Sequence, residues 1–239
     1  MSDTTVAPTQ RRAGGRDGRR ALRGAPMLSF PTLVRNIPTY ELLPAEAVEL
    51  IHDESMKILE EVGCEFRDDQ APHMWKAAGA DVQGTRVRIS RELLMQLIST
   101  VPPEFTLHAR NPERTVKVGG KNQIFVPMYG APYVRDLDNN RRYGSLEDLN
   151  NFHKLAYMLP ALHSSSSICC EPMEVAVPKR HLHIIDSALT HSDKPFMASV
   201  TAGERSADSV AMAELVFGKE FVDQNCVMTS LINANSPMV

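Results

Sequence analysis

From Gly144 onward the chain alternates between helical and strand periods, and this constrains its fold more than any other feature. Ser145, Leu146, Glu147 and Asp148 form a variant of the capping box, opening a helix over 145–159. An extended run follows over 162–168, then a helix over 179–190, a strand over 195–200, a helix over 205–217 and a strand over 227–233. A strand and a helix in every stretch of about 30 residues is the pattern of parallel βα architecture. The glycine fingerprints of nucleotide-binding doubly wound sheets, G-x-G-x-x-G and G-x-x-x-x-G-K-[ST], do not occur. The expected fold class is therefore α/β, with residues 144–239 as the first units of a partial (β/α)8 TIM-type barrel. Only about three such units precede Val239, whereas a closed barrel uses eight strands and about 250 residues. Residues 1–239 alone are accordingly expected to be inactive and a poor monomer, with an unpaired apolar edge along 227–233.

Residues 28–143 read as an extension in front of that barrel. Val48, Ile51, Met56, Ile58, Leu59 and Val62 recur at helical spacing until Gly63 stops the run. A second short helix carries Trp75 and ends near Gly79, and a third is capped by Ser90. Between Glu104 and Tyr143 the period changes to two. Strands are expected over 105–108, 116–118, 124–126 and 133–135, and Asp138, Asn139 and Asn140 make a tight turn.

Residues 1–27 carry Arg11, Arg12, Arg16, Arg19, Arg20 and Arg23 and almost no large apolar side chain, which predicts a disordered Arg/Gly-rich tail. An Arg-rich targeting peptide is the alternative; Asp3, Asp17 and the lack of an amphipathic stripe favour the tail. The net charge of −3 lacks the basic footprint of a nucleic-acid binder. No apolar run nears the roughly 20 residues that span a bilayer. The first 24 residues lack the apolar segment of a secretory signal, so a cytoplasmic protein is expected. Cys64, Cys169, Cys170 and Cys226 fit structural thiols in a reduced compartment.

Several linked stretches carry a family resemblance. They include Ile58-Leu59-Glu60-Glu61-Val62-Gly63, Ala78-Gly79-Ala80, Val87-Arg88-Ile89-Ser90 and Phe105-Thr106-Leu107-His108-Ala109-Arg110-Asn111-Pro112. Asp136-Leu137-Asp138, Leu146-Glu147-Asp148-Leu149, Cys170-Glu171-Pro172, Asp193-Lys194-Pro195-Phe196 and Asn233-Ala234-Asn235-Ser236-Pro237 follow in order. Together, from about residue 43 to the end, they resemble the N-terminal half of the trimethylamine methyltransferase family, in the branch without pyrrolysine that includes betaine demethylases. The resemblance implies an eight-stranded βα barrel that moves a methyl group from a methylated, usually quaternary, amine such as a betaine or trimethylamine to a corrinoid protein. The corrinoid would come from a partner protein, since the chain has no D-x-H-x-x-G pattern of a corrinoid domain and no zinc-ligand set. A homo-oligomer is expected at full length. The competing reading is a non-catalytic truncated product that at most binds a ligand or partner. Another cobalamin-linked barrel methyltransferase, acting on a thiol or methoxy group, is the weaker third.

Barrel enzymes place their sites at the carboxyl ends of the strands, and that rule selects the candidates. Loss of a methyl from a quaternary amine leaves a neutral amine, so no general acid is required and no catalytic residue is assigned. Glu171 is a candidate counter-charge for the substrate cation, against a plain loop carboxylate before Pro172. Asn233 and Asn235, two apart at a strand end, could bind a substrate carboxylate or the corrinoid rim, against a turn closed by Ser236 and Pro237. Tyr129 is a candidate cation–π contact, as is Tyr133, with hairpin packing as the alternative. Ser165 and Ser167, in the run Ser164 to Ser167, are candidate cofactor contacts. His181 and His183 lie two apart on a helix and cannot chelate one metal together. His153, His163 and His191 read as structural.

Overall fold

The computed structural model describes residues 32–166 and 168–232. The expected tail, Ser167, Asn233 and Asn235 lie outside the described residues. The chain begins with β1 (Leu33–Val34) and helix α1 (Ala45–Lys57), which opens after Pro44 and passes into a π-helical turn over Ile58–Val62. Gly63 ends it at φ 70°, and a side chain there would drive a Cβ to 2.2 Å from the Val87 carbonyl oxygen. Only glycine satisfies both demands. The helix forms where expected, but of its apolar stripe only Met56 is buried; Val48, Ile51, Ile58 and Val62 are exposed.

A three-stranded antiparallel sheet follows in the order β2 (Cys64–Glu65), β4 (Arg86–Arg88), β3 (Asp81–Gln83), with α2 (Ala71–Ala78) before β3. Next comes α3 (Arg91–Ile98), whose Ser90 cap accepts from the Leu93 N–H. β5 (Glu104–Leu107), β6 (Val116–Gly119) and β7 (Asn122–Gln123) then form an antiparallel sheet that β1 completes. The strand expected over 124–126 is not formed. Phe125 instead gives its N–H to His163 Nδ1 at 3.0 Å and takes the His163 N–H at 2.8 Å, so its backbone is satisfied by a distant ring and not by a ladder. β8 (Tyr133–Arg135) and β9 (Arg141–Tyr143) make a hairpin with Asn139 at φ 66° in its turn.

The alternating region starts with α4 (Leu146–Met158), entered through a full capping box between Ser145 and Asp148. α5 (Val177–His191), β10 (Phe196–Met197), α6 (Gly203–Phe217), α7 (Lys219–Gln224) and β11 (Met228–Thr229) complete it. β10 pairs in parallel with β11, and Ser166 bridges in parallel to Phe196. Three successive extended segments thus lie side by side in sequence order, joined by helices.

The strands are shorter than the sequence predicts. Among the described residues of 162–168 only Ser166 bridges: Ser164 and Ser165 give their hydroxyls to the Pro195 carbonyl, and Ser166 sits at φ 63°, off the extended line. After β10, Ala198 still donates to the Thr229 carbonyl, but the Ser199 N–H turns away to Ser209 Oγ. Helix α7 was not anticipated; Gly218 at φ 84° breaks one helix and starts the other.

One core joins α5, α6 and the strands through Ile185, Ala188, Phe196, Ala213 and Val227. A second joins the hairpin to the helices through Val134, Leu149, Cys170 and Ile184. Each fully buried Ile, Leu or Phe in them stabilises by about 1.5–3 kcal/mol. The contact between α4 and α5 also holds a buried polar chain. Ser187 donates to Asn150 Oδ1 at 2.6 Å, so His153 Nδ1, 2.7 Å away, is the donor to Ser187. Among the described residues, no helix is long and apolar enough to cross a membrane.

Lys194 closes the end of α4. Its buried ammonium donates to the carbonyls of Ala156, Leu159 and Leu162 at 2.6, 2.8 and 2.7 Å. Burial, with Arg114 adding repulsion, pushes its pKa down to about 8, which still leaves it charged at neutral pH. Lys194→Met would leave the buried Ala156 carbonyl and the part-buried carbonyls of Leu159 and Leu162 without this donor and is expected to cost about 2–3 kcal/mol in urea unfolding. At the other end of α4, the Arg142 fork and the Ser145 cap hold the Asp148 carboxyl well below the usual carboxylate range. A depressed carboxylate contributes stability above its unfolded pKa, and that contribution fades as acid protonates it. Asp148→Asn is therefore expected to cost about 1–2 kcal/mol at pH 7. The gap to the unaltered protein should close as the pH of the unfolding series falls below about 4.

Candidate active-site rim

The loop leaving the first extended segment, residues 168–176, lies past the carboxyl end of the parallel strands. It is tied down from three directions. Gly130 donates to the Ile168 carbonyl at 2.7 Å, Glu171 to that of Ala131 at 2.8 Å, and Met173 to that of Gly144 at 3.0 Å. Gly144 is obligatory for a steric reason: a Cβ there would lie 2.8 Å from the Glu171 carbonyl oxygen and 3.1 Å from Cys170 Sγ. Glu174 reinforces the arrangement by accepting the Leu146 N–H at 2.6 Å.

Of the residues selected from sequence, Glu171 and Tyr129 come to this loop. The Glu171 carboxylate pairs with Arg180 Nη1 at 3.4 Å, their side chains being 26% and 17% exposed. Tyr129 is half exposed and immediately precedes Gly130, whose N–H holds Ile168. Ser165 lies inward, fully buried, with its hydroxyl on the Pro195 carbonyl. Ser167, Asn233 and Asn235 lie outside the described residues. Tyr133 stacks on Tyr143 with centroids 4.8 Å apart and carries Arg141 over its face, the packing role that a hairpin gives it.

Arg180 was missed by sequence reasoning. Its Nε and Nη2 bond the Val175 carbonyl at 3.2 and 2.9 Å, and Nη2 also reaches that of Met173 at 3.4 Å. A signal was present. The first turn of α5 contains Lys179 and Arg180 and no acidic residue, an arrangement the helix dipole opposes unless other groups hold the cations.

The thiols beside the rim are poor nucleophiles. Burial pushes Cys169 up to about 11 and Cys170 up to about 12, so neither supplies thiolate at neutral pH. His181 Nε2 meets Asp208 at 2.8 Å, and His183 faces solvent. Among the described residues, no group of three or more His, Cys, Asp or Glu could hold a metal ion.

The opposite end of the strands is bound differently. Arg110, Tyr157, Thr190, His191, Ser192 and Asp193 line a cleft of about 250 Å³ ahead of β10. Asn111 donates to Asp193 at 3.1 Å, Arg114 pairs with the same carboxylate at 2.8 Å, and Arg110 donates to the Ser192 carbonyl. These contacts fasten the antiparallel extension to the helix-and-strand region, a stabilising role suited to the amino ends of parallel strands.

Helices alternating with parallel extended segments in sequence order make residues 144–232 an α/β arrangement. The trimethylamine methyltransferase (MTTB) family matches residues 11–239, and the chain belongs to that family. Among curated relatives it is 41% identical over 203 residues to a glycine betaine methyltransferase of Desulfitobacterium hafniense (strain Y51), a match taking in 84% of this chain and 42% of that protein. It is 29% identical over 140 residues to an L-carnitine:corrinoid methyltransferase of Eubacterium limosum, covering 58% of this chain and 28% of the relative. It is 34% identical over 108 residues to a proline betaine:corrinoid methyltransferase of the same organism, covering 45% and 22%. The chain thus spans about two fifths of the length of the first of these relatives.

Proposed function

We propose that this protein transfers a methyl group from a quaternary amine of the betaine type to a corrinoid protein. The observation that carries the proposal is the 41% identity to a glycine betaine methyltransferase over most of this chain. The parallel order of the three extended segments supports a further reading, that residues 144–239 are the first units of a (β/α)8 barrel and residues 28–143 an extension packed against it. On that reading the 168–176 loop belongs to the catalytic rim.

The cobalt is held on the partner protein, where it supplies the nucleophile that accepts the methyl group. This chain's part is to bind and orient the substrate. A quaternary ammonium leaves as a neutral amine, so the site has no proton to deliver. It has a cation to hold out of water and a methyl group to aim. Glu171 supplies the counter-charge and Tyr129 an aromatic face for the methylammonium. The methyl-bearing end must stay open to a protein-sized partner, which an exposed rim loop permits.

The experiment is spectroscopic. The protein expressed from its complete reading frame, with a reduced corrinoid protein, should convert Co(I) to methyl-Co(III) when given glycine betaine, proline betaine, carnitine or trimethylamine. No conversion with any of them, using the cognate corrinoid protein, would sink the proposal. Glu171→Gln should weaken substrate binding by roughly tenfold or more, a larger effect than its effect on thermal unfolding. Unchanged affinity would return Glu171 to the role of a loop carboxylate.

A further inference from the structure

Glu171 does not stand on the rim as an isolated negative charge. Arg180 Nη1 lies 3.4 Å from its Oε2, and both side chains are only partly open to water. Nε and Nη2 of the same guanidinium bond the Met173 and Val175 carbonyls, which holds the cation beside Glu171. The rim therefore presents a fixed pair of opposite charges with no net charge between them.

Such a pair treats two kinds of ligand differently. A quaternary ammonium without a second charge must share the Glu171 carboxylate with Arg180 and sit close to a like charge. A zwitterion can place its ammonium toward Glu171 and its carboxylate toward Arg180, satisfying both at once. The long 3.4 Å contact between them leaves the pair the less to lose when each partner turns to the ligand. Guanidinium suits this, since it keeps its charge and its Nη1, which makes no bond to the Met173 or Val175 carbonyls, can turn to a carboxylate.

We propose that the Glu171–Arg180 pair is a zwitterion-matching subsite, with Arg180 the residue that recognises the substrate carboxylate and so favours betaines over simple methylammonium cations. This rests on the reading of the protein as a betaine-type methyltransferase and adds the basis of its substrate choice.

The test compares glycine betaine with choline, which carries the same trimethylammonium head but no carboxylate. Dissociation constants are measured by calorimetry on the protein from its complete reading frame. In the unaltered protein betaine should bind more tightly than choline. Arg180→Gln should weaken betaine about tenfold or more and leave choline within about threefold, collapsing the preference. Glu171→Gln should weaken both. Arg180→Lys keeps the positive charge and should retain most of the preference, which separates recognition from loop support. Because each preference is a ratio on one sample, a partly unfolded fraction cancels. Equal loss of both ligands in Arg180→Gln, or no loss of either, would overturn the subsite. If the unaltered protein binds betaine and methylates the corrinoid protein but shows no preference over choline, the subsite alone falls. If it binds no methylated amine at all, the functional proposal falls first.

Discussion

The fold of residues 144–232 depends on a single buried cation. Lys194 stands just ahead of β10, and its ammonium gathers the carbonyls of Ala156, Leu159 and Leu162, the end of α4 and the turn after it. A helix terminus normally leaves its last carbonyls to water or to a glycine-type cap. Here they are met by a side chain 35 residues beyond Leu159, which ties together the end of α4, the first extended segment and the start of β10. Ser164 and Ser165 then meet the Pro195 carbonyl next door, and Phe196 fills the core. The loop bearing Glu171 inherits its position from this arrangement.

The sequence revealed the elements well where local signals were strong. Ser90 and Ser145 cap the helices they predict, Asn139 takes the turn, and the alternation after Gly144 yields parallel pairing. It failed where a distant partner overruled the local pattern. Phe125 sits in a run with good strand character, yet a histidine ring 38 residues away satisfies its N–H. The stripe on α1 has the spacing of a buried face and lies largely exposed, since periodicity shows that a face is apolar without showing what covers it.

The candidate site was legible in part for the same reason. Glu171 could be chosen because it follows an expected strand, which is a local fact. Arg180 could not be paired with it, because nothing in the spacing of nine residues across a loop says that the guanidinium folds back. The stretches that carry the family resemblance divide similarly. Cys170, Glu171 and Pro172 lie in the 168–176 loop, whereas Arg110, Asn111 and Asp193 tie the extension to the strands. Family membership is thus written as much in the fastening of two regions as in the chemistry.

That fastening bears on how the chain acquires its shape. Apart from β1, the strands of the extension pair between nearer neighbours, such as Val82 against Val87 and Phe105 against Val118. The contacts of Arg110 and Asn111 with Ser192 and Asp193 bridge 82 residues. Loop-closure entropy makes contacts of that span slow to form. As the chain emerges from the ribosome, the hairpins of the extension can assemble at once, but Arg110 and Asn111 must wait for α5 to be made. Fastening of the two regions therefore comes after the hairpins of the extension can close.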